Sequence, residues 1–209
     1  LARRGEGLSV AAFAGADLEA AAAQLRGAGL EVGDATPLER TIEAEAGELR
    51  PRFRLLHLPA EATPGLQAFV CRHETPELVW QAPWVRHPNG AEGIVGLTVV
   101  VEDPGAVAVA YADIFGFRAV TNTDNLVTVD CGGCRLRFTD ADGLLALHPQ
   151  ARAFTSPPEP GPVAVQVAVA DKAAAAALLH HTGVAFERDR DGPLHVPATE
   201  ACGVMLDFV

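Results

Sequence analysis

The sequence predicts an α+β fold: tandem βαβββ modules with mixed β-sheets and helices on the outer faces. Three observations carry this expectation. One design recurs three times along the chain, as LSVAAFAGADLEAAAAQLRGAGLEV, GLTVVVEDPGAVAVAYADIFGFRAV and VAVQVAVADKAAAAALLHHTGVAFE. Each copy reads as an alternating apolar strand, an Asp, an Ala-rich helix of about three turns, then a Gly and a second strand. The spacing barely changes: Asp17 to Gly29, Asp103 to Gly116, Asp171 to Gly183. After each copy come further strand-like runs, which complete the module.

Taken in order, each element has a local cause. Asp17, Asp103 and Asp171 are placed to cap helices, offering a carboxylate to the free amides of the first turn. Pro104 fits the first helical position, where a missing N–H costs nothing. The glycines suit the turn that ends a helix. In the first module, 52–58 (RFRLLHL) and 66–73 (LQAFVCRH) read as strands. Next, Thr75-Pro76-Glu77 reads as a helix start. Trp80 and Trp84 share one face of that turn, where they are expected to fill a gap between the two halves, and Pro83 is expected to end it. His87-Pro88-Asn89-Gly90 reads as a β-turn. In the second module, NLVTVDCGGCRLRFTD is a hairpin about Gly132-Gly133. Residues 141–162 are a Pro-rich connector. In the third module, 193–196 and 203–209 are the last strands. The expected division is therefore a single module over 1–73, a linker strap over 74–92, and paired modules over 93–209 (93–140 and 163–209).

Composition removes several function classes. The formal net charge is −11 and the pI is near 5.0. With no basic run, this argues against nucleic acid or an anionic membrane surface as partner. The longest apolar runs are too short to span a bilayer. No signal peptide is visible. Four cysteines are too few for a disulfide scaffold, so a cytoplasmic location is expected. The chain begins Leu-Ala-Arg-Arg rather than with Met, which leaves room for residues upstream.

HETPELVW at 73–80, RHPNGAEG at 86–93 and EACGVMLDFV at 200–209, set on this repeat, carry a family likeness. Over nearly all of residues 7–209 the chain resembles the vicinal oxygen chelate superfamily: glyoxalase I, bleomycin-resistance proteins and extradiol dioxygenases. Within it, the chain resembles bacterial glyoxalase-like proteins of unassigned activity. The resemblance implies modules that pair so that their curved mixed β-sheets form a cleft. Residues 93–209 then form a complete pair, while the first module lacks a partner. That partner is expected either as a missing N-terminal module or from a second chain in a homodimer. The resemblance also implies a divalent metal held by His and Glu or Gln on first and last strands. The first-strand positions fall at Val10, Gly96 and Ala164, which have no donor side chain. The last-strand positions fall at Cys71, Arg137 and Asp207, and an arginine opposes a cation. A metal is therefore expected, if anywhere, in the N-terminal module pair, with Cys71 and His73 as candidate ligands.

Strand alternation supplies the other candidates. Val127, Val129, Leu136 and Phe138 should face the helices, and Arg135, Arg137, Gln166 and Asp207 the cleft. Two guanidiniums there suit a carboxylate or phosphate. The plainer reading is cross-strand ion pairing, of Asp130 with Arg135 and Asp207 with Arg137. Gln67, Cys71 and His73 share the other face of the first module, where a Cys–His pair is one reading and a structural role the other. His57 is a lesser candidate. Cys131 and Cys134 form a CxxC, but beside a hairpin rather than at a helix start, so a structural role is expected. His87 reads as a turn residue first and a site residue second. His148, His180, His181 and His195 show no partner pattern. Two functions follow. One is an enzyme of lyase, isomerase or dioxygenase type acting on a small organic molecule. The other is a non-catalytic small-molecule-binding protein of the bleomycin-resistance type, with 93–209 structural.

Overall fold

The computed structural model describes residues 6–45, 47–154, 158–188, 190 and 192–209. The chain divides into two compact units, Val10–Val85 and Arg86–Val209, the latter joined by residues up to Ser9.

The N-terminal unit holds β1 (Ala11–Ala14), α1 (Leu18–Gly27), β2 (Thr36–Glu39), a small hairpin of β3 (Ile42–Ala44) and β4 (Gly47–Leu49), then β5 (Arg52–His57), β6 (Ala68–His73) and the short α2 (Ala82–Val85). Its main sheet runs β1-β6-β5-β2. First and last strands are parallel, with Ala12 beside Phe69 and Ala14 beside Cys71, and the other pairings are antiparallel. Asp17 caps α1, its Oδ1 accepting from Ala20 N at 2.9 Å. Leu18, Ala22 and Leu25 of α1 are buried, as are Leu56 and Ala68 on the sheet. This is the apolar stripe of an amphipathic helix on a half-buried sheet.

The C-terminal unit holds β7 (Ala91–Val100), α3 (Pro104–Phe115), β8 (Val120–Thr123), β9 (Leu126–Asp130), β10 (Arg135–Thr139), α4 (Ala141–Leu147), β11 (Gly161–Val169), α5 (Lys172–Thr182), β12 (Glu187–Arg188), β13 (Leu194–Val196) and β14 (Met205–Phe208). The strands make one eight-stranded sheet, ordered β12-β13-β14-β11-β7-β10-β9-β8. Each half repeats the N-terminal pattern: β10 lies parallel to β7, and β14 parallel to β11. The halves join edge to edge through the antiparallel β7–β11 ladder. Under the first helix lie Val127, Val129, Leu136 and Phe138, with Tyr111 packed on Phe138 at 4.4 Å between centroids. Under the second lie Ala175, Leu194, Val196 and Phe208. Asp103 and Asp171 cap α3 and α5 as Asp17 caps α1.

Residues 141–153, the first part of the expected Pro-rich connector, hold a helix and a 3-10 turn. Asp140 caps α4 by accepting from Gly143 N at 2.7 Å, and a 3-10 turn over Pro149–Ala153 follows. Leu144 and Ala151 are buried against Val100, Ala164 and Met205, so this segment covers part of the sheet face that the helices leave open. The strap also departs from expectation. Pro83 stands at the start of α2 instead of ending a helix, as its fixed φ and missing N–H allow. Two short turns, Pro76–Leu78 and Ala82–Val85, replace one, and Trp80 is left 64% exposed between them. Trp80 stacks on His73 of the same unit, 5.7 Å away and 13° from parallel.

Candidate functional site

The helix-free face of the C-terminal sheet gathers the polar residues of both halves. Arg137 on β10 stands beside Thr98 on β7; Gln166 on β11 stands beside Gly96 on β7 and Asp207 on β14. Arg137 Nη1 donates a short hydrogen bond to Gln166 Oε1, bridging the two halves. Gly96 makes the room for this. A Cβ built there would lie 2.5 Å from Gln166 Oε1 and 3.0 Å from Arg137 Nη1. Around this bridge is a cavity of about 480 Å³ whose walls include Asp130, Arg135, Arg137, Gln166, Val95 and Val209.

The charges in this cavity are poorly compensated. Arg135 makes no hydrogen bond or ion pair with any described residue, and Asp130 forms none with Arg135, although the two face each other in the β9–β10 ladder. The cross-strand ion pairs offered by the plainer reading are thus not formed. Asp130 Oδ1 instead accepts from Gly132 N at 2.8 Å. Burial, and then the Arg135 charge, hold the Arg137 pKa below the usual arginine value; Asp207 and Cys134 pull the other way.

Asp207 belongs to a second, buried network. Its Oδ1 accepts from Gln150 Nε2 at 2.7 Å and from His195 Nδ1 at 2.8 Å. His148 Nδ1 lies 2.9 Å from Oδ2, a charge contact not aligned as a hydrogen bond. His148 Nε2 meets Thr98 Oγ1 at 2.7 Å. An ionised carboxylate only accepts, so His195 Nδ1 donates the proton in its bond to Oδ1. Burial raises the Asp207 pKa, but the close contacts with His148 and His195 outweigh it and leave the carboxyl below its ordinary value. The network fastens 148–150 to β14, β13 and β7, holding the connector on the sheet. His195 and Gln150 also line a cavity of about 360 Å³ with Arg152, Phe186 and Thr199.

Among the sequence candidates, Arg135, Arg137 and Gln166 come together at one cavity, and Asp207 stands beside Gln166 but is turned to the histidines. His148, Gln150, Thr98 and His195 escaped sequence reasoning. His195 was within reach: a hairpin of the last two strands puts it directly opposite Asp207. His148 and Gln150 lie outside the strands, where no register places them.

In the N-terminal unit, Cys71 and His73 lie on one face of β6 but form no hydrogen bond with each other. His73 is held by aromatic contacts with Trp80 and, edge-on, Phe53 at 5.0 Å. Burial pushes the Cys71 thiol up, away from the reactive thiolate. Gln67 is exposed just before β6, and His57 is exposed against Phe69. His87 is exposed and closes its turn, its carbonyl accepting from Gly90 N at 2.9 Å. At the CxxC, burial and then the Cys134 and Asp130 charges push Cys131 up to about 12, which suits unreactive thiols beside a turn.

Residues 1–115 match a family model described as glyoxalase-like domain. The chain belongs to this family. Its fold is that of the vicinal oxygen chelate superfamily, as solved structures bear out. A hypothetical protein from Staphylococcus aureus superposes with a TM-score of 0.65 at 11% identity, covering 100% of this chain and 68% of that one. A catechol 2,3-dioxygenase gives 0.52 at 12% identity, over 98% and 68% of the two chains. Homoprotocatechuate 2,3-dioxygenase from Arthrobacter globiformis gives 0.51 at 12%, over 96% and 61%. Likeness at these identities concerns the fold alone. No curated protein sequence is significantly similar to the chain. Among the described residues no helix is long and apolar enough to cross a membrane.

A metal of the kind this superfamily implies does not fit the paired sheet. Gly96 and Ala164 offer no donor, Arg137 brings a positive charge to the centre, and Asp207 is engaged by Gln150 and two histidines. Among the described residues, no three His, Cys, Asp or Glu side chains are grouped to hold a metal ion.

Proposed function

We propose that the C-terminal unit of this glyoxalase-like protein binds a small organic anion in its sheet-lined cleft, with Arg135 and Arg137 as the anchoring groups and no metal. This is the non-catalytic binding function, not the lyase, isomerase or dioxygenase one. One observation carries the reading: two guanidiniums converge on a cavity of about 480 Å³, and one of them has no hydrogen-bond or ion-pair partner among the described residues. A planar guanidinium matches a carboxylate in two-point contact. Arg137, half buried and fixed by Gln166, is pre-organised for it, which lowers the entropy lost on binding.

Thermal-shift titration with small carboxylates and inorganic phosphate tests the reading. At least one anion should raise the melting temperature of the wild type. Arg135→Ala and Arg137→Ala should each abolish the shift while the protein stays folded. An unchanged shift in both variants overturns the proposal.

A further inference from the structure

The same cavity presents a negative group as well as two positive ones. Asp130 ends β9 at the mouth of the Gly132-Gly133 turn, and Arg135 begins β10 opposite it. Both are exposed and both line the cavity. Two such groups in one cross-strand position ordinarily pair. Here they do not. One oxygen of Asp130 is used in accepting from Gly132 N, which fixes the carboxylate and leaves its second oxygen for another donor. Gly132 and Gly133 adopt φ of 80° and 140°, so the turn depends on glycine and holds Asp130 in place. Val95 and Val209 add apolar wall.

We infer that the ligand is an α-amino acid: its carboxylate meets Arg135 and Arg137, its ammonium meets Asp130, and its side chain lies along Val95 and Val209. A simple carboxylate would leave Asp130 unanswered and close to the anion, where like charge opposes binding. A simple amine would leave Arg135 unanswered and add a third positive charge beside the two arginines. The zwitterion satisfies both poles. This inference rests on the anion-binding reading above and adds the second pole to it.

Isothermal titration of the full chain with three matched probes tests it: norvaline, pentanoate and butylamine. The expected result is norvaline binding about tenfold or more tightly than pentanoate, with butylamine not binding. Asp130→Asn should bring norvaline down to the pentanoate affinity and leave pentanoate no weaker. Arg135→Ala should remove both. Equal affinity of the wild type for norvaline and pentanoate overturns the amino-acid inference and leaves anion binding standing. Binding of none of norvaline, pentanoate and inorganic phosphate overturns both. The wild-type comparison decides the matter even if a variant folds poorly.

Discussion

The N-terminal module and the first module of the C-terminal unit are built alike but used differently. Each has a first and a last strand in parallel, an Asp-capped helix between them, and antiparallel strands beyond. In the N-terminal sheet β1 is the edge, paired with β6 alone. In the C-terminal sheet the matching strand, β7, has its other edge taken by β11. The polar partnerships of the candidate site depend on that join. Arg137 reaches Gln166 across it, and His148 ties Thr98 of one half to Asp207 of the other. In the N-terminal sheet, Cys71 and His73 have neighbours of their own module, and His73 has aromatic contacts, but neither makes such a polar bridge among the described residues.

The join can be broken from the inside. Asp207→Ala should have the largest effect, because it leaves His148, His195 and Gln150 buried without their common acceptor. A loss of about 3–5 kcal/mol is expected in urea unfolding. The same group predicts a pH dependence. Its folded pKa lies below the ordinary value of 3.8, so its stabilisation is present above that value and is lost as pH falls through the folded one. Stability measured in steps from pH 6 to pH 2 should therefore fall more steeply in the wild type than in Asp207→Asn. Parallel curves would show that Asp207 is not the linked group.

A smaller effect should follow from Gly96→Ala. The new methyl meets Gln166 Oε1 at 2.5 Å and Gln166 Cβ at 3.1 Å, so the Arg137–Gln166 bridge must shift. Overpacking of this kind costs about 1–3 kcal/mol. Anion binding should weaken with it, since the fixed position of Arg137 is lost. If binding is untouched, the bridge is not what orients the guanidinium.

The smallest effect compares the two units directly. Asp17→Ala and Asp171→Ala each remove one helix cap, and each should cost about 1 kcal/mol. Hydrogen exchange should report the loss in α1 for the first variant and in α5 for the second. Spread of either effect across both units would show that they do not unfold as separate units.

Much of this architecture was legible in the sequence because it follows from period and punctuation. The repeat, its capping aspartates and the alternation of Val127, Val129, Leu136 and Phe138 fix modules, helices and sheet faces. Alternation also puts Arg135, Arg137 and Gln166 on one face, since a strand has only two. It cannot say that Arg135 and Asp130 stand apart, because side-chain pairing depends on where each group finds a better partner, and Asp130 finds Gly132. Nor could it find the histidine network. Asp207 gains His148 and Gln150 from a covering segment whose docking depends on Leu144 and Ala151, which carry no periodic signal. The exposure of Trp80 is not legible for a related reason: residue type suggests burial, while two prolines set the local path.

Calorimetric titration of the chelator-dialysed protein with a small carboxylate, run beside Arg137→Ala, tests most directly whether this cleft binds through arginine rather than metal. Binding should survive the chelator unchanged and vanish in the variant. Loss of binding after dialysis, restored by a divalent metal, or full binding by Arg137→Ala, would contradict it.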